Sequence, residues 1–248
     1  DVVFAPNLTP FADTTAWSAP DLLLSVSSGE ATRAPAARLT EVLVRDDGLE
    51  FVRPHGSMLA TGDFSRCSVR PHPSSSEPFT GQPWLMLALW GRVTHRDGLL
   101  LHGACCELEG RFILLLGERQ AGKSTLARLV VAAGGTCLTD EYPFVTGTDA
   151  GPVAHGSPWP GLAGQPSTLS APLAAVFYLS HAPANVLTPL PPKQAAQRLL
   201  TNNRFFTWSP ATLPIAFELI EQVSAVTPLL DFGFVPDLAA VDAMRRVL

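Results

Sequence analysis

Apolar residues fall into short blocks along this chain, and their spacing changes character near residue 82. Upstream, "DLLLSV", "EVLVRDDGLEFV" and "CSVRP" are brief apolar runs punctuated by Pro, Gly, Ser and Asp, the signature of strands joined by tight turns. The pair Asp47-Gly48 between two such runs predicts a hairpin. "RPHPSSSEPFTGQP", residues 70–83, is crowded with proline and serine and reads as a linker. We therefore expect a small β-rich N-terminal domain over residues 1–82 and a second domain over 83–248.

The second domain opens on "WLMLALWGRVTHRDG", where Leu85, Leu89 and Val93 recur at helical spacing and predict a helix packed against the elements downstream of it. "LLLHGACCELEGRFILLLG" predicts two strands turned at Glu109-Gly110, with His102 on the first. Eight residues bounded by Gly117 and Ser124 come next, followed by Leu126, Leu129 and Val130 at helical intervals up to Gly134-Gly135. That order is strand, loop, helix. Farther on, "TCLTDEYPFV", "LAAVFYLS" and "TPLLDFGFV" read as strands, while "PKQAAQRLLTNNRFF", "ATLPIAFELIEQVSAV" and "PDLAAVDAMRRVL" read as helices. The alternation predicts an α/β fold with a mixed sheet flanked by helices.

The loop itself, Gly117, Glu118, Arg119, Gln120, Ala121, Gly122, Lys123, Ser124, fits the phosphate-loop (Walker A) pattern. Glycines let successive main-chain N–H groups turn inward toward phosphate oxygens, and the following helix presents its positive end to the same anion. On this pattern Lys123 reaches the β- and γ-phosphates of ATP. Ser124 offers its hydroxyl to Mg²⁺, with Thr125 beside it as a less favoured ligand.

Transfer of a phosphate needs more than a cradle: a carboxylate to hold the metal and a group to take the acceptor's proton. Asp140 and Glu141 end the apolar run after the loop helix, where a second strand delivers acids beside the phosphates. Asp140 is the stronger candidate for catalysis, and Ser124, Asp140 and Glu141 are the candidate metal ligands. His102, set between "LLL" and Gly103, is a candidate to hydrogen-bond Asp140 and orient it.

Composition narrows the partners. A net charge of −5 with only 16% charged residues and no like-charge block argues against nucleic acid or an anionic membrane surface. No apolar run approaches the roughly 20 residues that span a bilayer, and the first residues lack a secretory pattern, so a cytoplasmic location is expected. Cys67, Cys105, Cys106 and Cys137 lack metal-type pairing and read as buried free thiols.

The stretch 100–145, "LLHGACCELEGRFILLLGERQAGKSTLARLVVAAGGTCLTDEYPFV", resembles the catalytic core of HPr kinase/phosphorylase and its smaller relatives, the HPr-kinase-like serine kinases of bacterial peptide-modification clusters. The shared order is a His-Gly pair (His102-Gly103), a phosphate loop (Gly117 to Ser124) and an acidic segment (Leu138, Asp140, Glu141). The resemblance continues more weakly through "GSPWPG", "PLAAVFYLS" and the C-terminal "VTPLLDFGFVPDLAAVDAMRRVL". It implies that Asp140 is the proton-transferring acid, His102 its partner, Lys123 the phosphate clamp and Ser124 a Mg²⁺ ligand. It also implies a serine of a peptide or small protein as acceptor. Members of that family associate as oligomers, so a homo-oligomer is among the assemblies it implies.

Two departures qualify the pattern: the second acid is Glu141 where the family carries aspartate, and its later glutamate-containing signature is not recognisable between residues 150 and 170. That segment is instead a Gly- and Pro-rich loop in which His155 and Trp159 are candidate acceptor contacts. Arg204, or Arg198, is the candidate to stabilise transition-state charge. A small-molecule alcohol as acceptor, a regulatory module that holds ATP without turning it over, and a β-rich scaffold that delivers a peptide remain alternatives.

Overall fold

Alternating residues in the first part of the chain build a small sheet with one buried face. The computed structural model describes residues 22–27, 41–71, 82–159, 161–203 and 211–248. Arg204 and most of the proline-rich stretch expected as a linker lie outside those residues. Five strands, β1 (Leu23–Val26), β2 (Glu41–Arg45), β3 (Gly48–Arg53), β4 (Gly56–Thr61) and β5 (Arg66–Pro71), form a sheet in the order β1-β5-β4-β3-β2. The predicted hairpin forms between β2 and β3, with Arg45 opposite Gly48, so its turn residues are Asp46 and Asp47, one position earlier than expected.

Phe51, Met58 and Val69 on this sheet, with Phe64 in the turn between β4 and β5, pack with Trp84, Leu87 and Ala88 of helix α1 (Gln82–Thr94). The helix was expected to pack against the residues after it. Its buried stripe is Trp84, Leu87, Ala88 and Gly91, one position away from the Leu85, Leu89, Val93 stripe, and that offset turns Trp84 onto the preceding sheet. At Gly91 an added Cβ would lie 2.3 Å from the Phe64 ring.

The remaining elements are β6 (Gly98–Leu100), β7 (Ala104–Leu108), β8 (Arg111–Leu116), α2 (Lys123–Ala132), β9 (Thr136–Thr139), β10 (Phe144–Thr146), β11 (Val153–His155), β12 (Ser170–His181), β13 (Val186–Pro189), α3 (Pro192–Asn202), α4 (Thr212–Val226), β14 (Leu229–Phe234) and α5 (Leu238–Arg245). Their strands form a second mixed sheet in the order β6-β10-β11-β12-β8-β7-β9, with β14 paired to β12 and β13 to β14. Pro214 falls in the first turn of α4, where its missing N–H leaves no helical bond unmade.

The apolar run predicted to carry His102 on a strand divides into two. Leu99 and Leu100 pair with β10, β7 starts at Ala104, and His102-Gly103 form the bend between them. Gly103 is needed there, since a Cβ would lie 2.7 Å from the Leu115 carbonyl oxygen. One face of the sheet buries Leu126, Val130, Val241 and Met244 from α2 and α5, and the other buries Ala195, Leu199, Leu219 and Val223 from α3 and α4.

The described residues from 97 to 248, apart from 211–213, form one compact unit, and those before 97 together with 211–213 form another. No helix among the described residues is long and apolar enough to cross a membrane.

All four cysteines are buried free thiols. Burial pushes Cys67 up to about 12 and Cys105 higher still, and the hydrogen bond between the Cys106 and Cys137 thiols, with burial, raises Cys106 well above the ordinary range. A raised pKa keeps the folded thiol protonated where the unfolded one, at about 8.5, ionises. Stability therefore falls as pH rises above about 8.5, read from urea midpoints at neutral and alkaline pH. Iodoacetamide labels the cysteines at pH 8 only after denaturation, read by mass spectrometry. Separately, Gly91→Ala overpacks the Phe64 contact and lowers stability by about 1–3 kcal/mol in chemical denaturation.

Candidate active site

Strand direction assembles the site. Strand β8 runs parallel to β12 and β12 parallel to β14, while β7 is antiparallel to both of its neighbours, β8 and β9. Thus β8, β9, β12 and β14 all point the same way, and their carboxyl ends bring Gly117, Asp140, His181 and Phe234 to one edge of the sheet. Open α/β sheets bind ligands at such an edge.

Residues Gly117 to Gly122 turn between β8 and α2. Gly117 has φ +147° and Gly122 φ +94°, values that favour glycine, and Gln120 is also left-handed at +66°. A Cβ at Gly122 would lie 2.7 Å from the Phe234 ring, and one at Gly117 would be 3.0 Å from the Leu179 carbonyl oxygen. The turn is held by Ala121 N–H donating to the Glu118 carbonyl at 3.2 Å and by a 2.9 Å hydrogen bond between His181 Nε2 and the Gln120 carbonyl. Glu118, Arg119 and Gln120 are exposed, Ala121 is buried, Ser124 is half-buried and Thr125 is exposed.

Lys123 opens α2 and is only 8% exposed. Its Nζ donates to the carbonyls of Gly117 and Glu118 at 2.9 Å each, so two of its three N–H bonds stay within the loop. Burial pulls its pKa below the ordinary lysine value. Charge and main-chain donors therefore converge on one turn at a helix N-terminus.

Asp140 comes directly after β9. Residues Cys105 and Cys106 of β7 face Thr139 and Cys137, so β9 carries an extra residue, Leu138, at this point. Such a bulge re-aims the residues beyond it. Thr139 braces the next turn, donating its hydroxyl to the Trp159 carbonyl at 2.6 Å and accepting from the N–H groups of Glu141 and Tyr142 at 3.3 Å each. Asp140 is 6% exposed; its Oδ1 accepts the Leu162 N–H at 2.7 Å, and its Oδ2 is buried with no hydrogen-bond partner among the described residues. The expected His102–Asp140 hydrogen bond is accordingly not formed.

His102 nonetheless sits beside the acidic segment. Its ring lies 6.2 Å from that of Tyr142, and Gly103 N–H donates to the Glu141 carbonyl at 3.3 Å. Of the candidate acceptor contacts, His155 pairs with Thr146 Oγ1 at 2.8 Å, and burial lowers its pKa. Trp159 is buried against Phe144. Arg198 stacks 4.2 Å above the Tyr178 ring and contacts Asp231 at 3.4 Å, an engagement that ties its guanidinium to the sheet.

Asn202 is a residue the sequence pattern did not single out. Buried at the end of α3, it accepts the Gly117 N–H on Oδ1 at 3.3 Å, while its main-chain carbonyl accepts the His102 N–H at 3.0 Å. It thus joins the loop to the His102 bend. The only sequence signal is the polar pair Asn202-Asn203 closing an apolar helix pattern.

Among the described residues no three of His, Cys, Asp and Glu cluster as a metal site. The arrangement still fits a Mg²⁺-bound triphosphate, because the glycine-hinged turn at the helix N-terminus carries a buried lysine and, next to it, the half-buried Ser124 hydroxyl that would hold the ion. Phosphate oxygens and water complete such a coordination sphere.

Among known proteins, the family model for SynChlorMet cassette protein ScmC matches residues 66–219. No curated protein matches the chain. A solved structure of the Hpr(Ser) kinase/phosphatase from Coxiella burnetii is similar at 11% identity and a TM-score of 0.35, covering 59% of this chain and 93% of that one.

Asn202→Ala leaves the buried Gly117 N–H without its acceptor and costs about 1–3 kcal/mol. Amide exchange at Gly117 then accelerates, whereas Asn202→Asp retains an acceptor oxygen and restores protection.

Proposed function

The chain belongs to the SynChlorMet cassette protein ScmC family, matched over residues 66–219, and from its site chemistry we propose that it is an ATP- and Mg²⁺-dependent kinase of the HPr kinase type. It transfers the γ-phosphate to a hydroxyl, that of a serine in a peptide or small protein. One observation carries the reading: a glycine-hinged loop with a buried lysine shares a sheet edge with a carboxylate whose Oδ2 is buried and unpartnered. The His102-Gly103, Gly117–Ser124 and Asp140-Glu141 order, which resembles HPr kinase/phosphorylase, supports it independently.

In this reading the loop N–H groups not already engaged by Asn202 and by the Glu118 carbonyl, together with the Lys123 ammonium, bind the β- and γ-phosphates and offset the charge that develops during transfer. Ser124 would hold Mg²⁺, which would supply further neutralisation of that charge. Asp140 Oδ2 takes the proton of the incoming hydroxyl. The acceptor oxygen bonds to the γ-phosphorus as the bond to the β–γ bridging oxygen breaks, and ADP leaves with that bond's electron pair. Asn202 and His181 hold the loop in shape from the ends of α3 and β12. Burial of Lys123 and Asp140 strengthens each of these electrostatic contacts.

The test is incubation with γ-labelled ATP, Mg²⁺ and serine-bearing peptides, followed by localisation of the label. Asp140→Asn reduces transfer by about 10²–10⁴-fold while retaining ATP, and Lys123→Ala weakens ATP binding itself. Label on a small-molecule alcohol alone would transfer the role to that substrate class. No label on any hydroxyl, with ATP still bound, would leave a non-catalytic nucleotide-binding module.

A further inference from the structure

The residues that cover Asp140 come from the Gly- and Pro-rich segment between β11 and β12. Gly161 stands at φ +72°, and a Cβ added there would lie 1.8 Å from Asp140 Oδ1 and 2.8 Å from its Cγ. The main chain is therefore pressed against the carboxylate, a closeness that only glycine permits. One residue on, the Leu162 N–H donates to Oδ1 at 2.7 Å.

The segment is tied down on both sides of this contact. Thr139 Oγ1 donates to the Trp159 carbonyl at 2.6 Å, Gln165 N–H donates to the Cys137 carbonyl at 3.0 Å, and Ser167 N–H donates to the Ser157 carbonyl at 3.3 Å. Two of these anchors lie on β9 itself, the strand that delivers Asp140. The Leu162 side chain, by contrast, is 81% exposed, so its packing does not explain why the turn is there. What the turn contributes is its main-chain N–H and the absence of a Cβ.

We propose that the Gly161-Leu162 turn is the positioning element of the catalytic carboxylate, an inference that rests on the reading of Asp140 as the proton acceptor. The N–H holds Oδ1 and stops rotation about the Cβ–Cγ bond. Oδ2, which has no hydrogen-bond partner among the described residues, is thereby left as the oxygen free to take a proton. A carboxylate free to turn would divide its time among orientations, and misplacement of a reacting group by about 1 Å costs as much as about 10²-fold in rate. The segment thus positions the proton acceptor, although it contributes no side chain to it.

Two variants separate the contributions. Leucic acid at position 162, installed by nonsense suppression, replaces the N–H with an ester oxygen and leaves the shape intact. It should lower kcat by about tenfold or more, with the affinity for a fluorescent ATP analogue and the ATP KM unchanged. Gly161→Ala should show the same split between kcat and KM if it folds, as judged by circular dichroism; the ester variant decides the matter if it does not. An ester variant with unmodified kcat would overturn the proposal while Asp140→Asn stays inactive and the kinase reading stands. Transfer that survives Asp140→Asn would remove both.

Discussion

Strand β7 pairs with a neighbour on each side, and everything at the site depends on that double pairing. Cys105 stands opposite Leu114 of β8 and opposite Thr139 of β9. Two successive antiparallel pairings make β8 and β9 co-directional, so the loop after one and the acid after the other leave the sheet at the same edge. A slip of one residue on either side would turn the paired side chains to the opposite face and carry Asp140 away from the loop. Full burial of Cys105, Cys106, Leu114 and Leu115 makes such a slip costly, because large apolar side chains would have to repack in a dense interior.

That framework concentrates polar groups where water is scarce. A buried oxygen without a partner is expensive, and native proteins retain few of them. Asp140 Oδ2 persists because the surroundings fix the residue in every other respect: β9 sets its position, the bulge its direction and the Leu162 N–H its rotation. Lys123 is treated in the same way, since loop carbonyls satisfy its ammonium in place of solvent. Strain in the left-handed Gln120 fits this picture, with the His181 ring bonded to the same residue's carbonyl. The groups read as catalytic are therefore preorganised by main-chain contacts more than by charged side-chain partners.

Much of this was legible before any coordinates. The strand, loop and helix around Gly117 to Ser124 stem from an apolar run, two glycines and a 3.6-residue period, all local signals. The same is true of α4 and α5, and of the β2–β3 hairpin, although its turn lies at Asp46-Asp47 and not at the expected Asp47-Gly48. Errors came where a local pattern admitted two partners. Leu99 to Leu101 and Ala104 to Leu108 form one apolar stretch in sequence, but the first part pairs with β10 and the second with β8 and β9, so the chain bends at His102. In α1 two apolar stripes lie a residue apart, and the one through Trp84, Leu87 and Ala88 is the one buried on the sheet.

Short-range chemistry along the chain was enough to determine the loop, its lysine, the flanking elements and the presence of acids downstream, because each depends on residues within a few positions of one another. Which carbonyl receives Lys123, that Asn202 closes the loop from 85 residues away, and that a Gly-Leu turn grips Asp140 were decided only by the tertiary structure. Each of those contacts has a main-chain N–H or carbonyl on one side, and the main chain carries no residue-specific signal until folding brings such a group against the side chain it bonds.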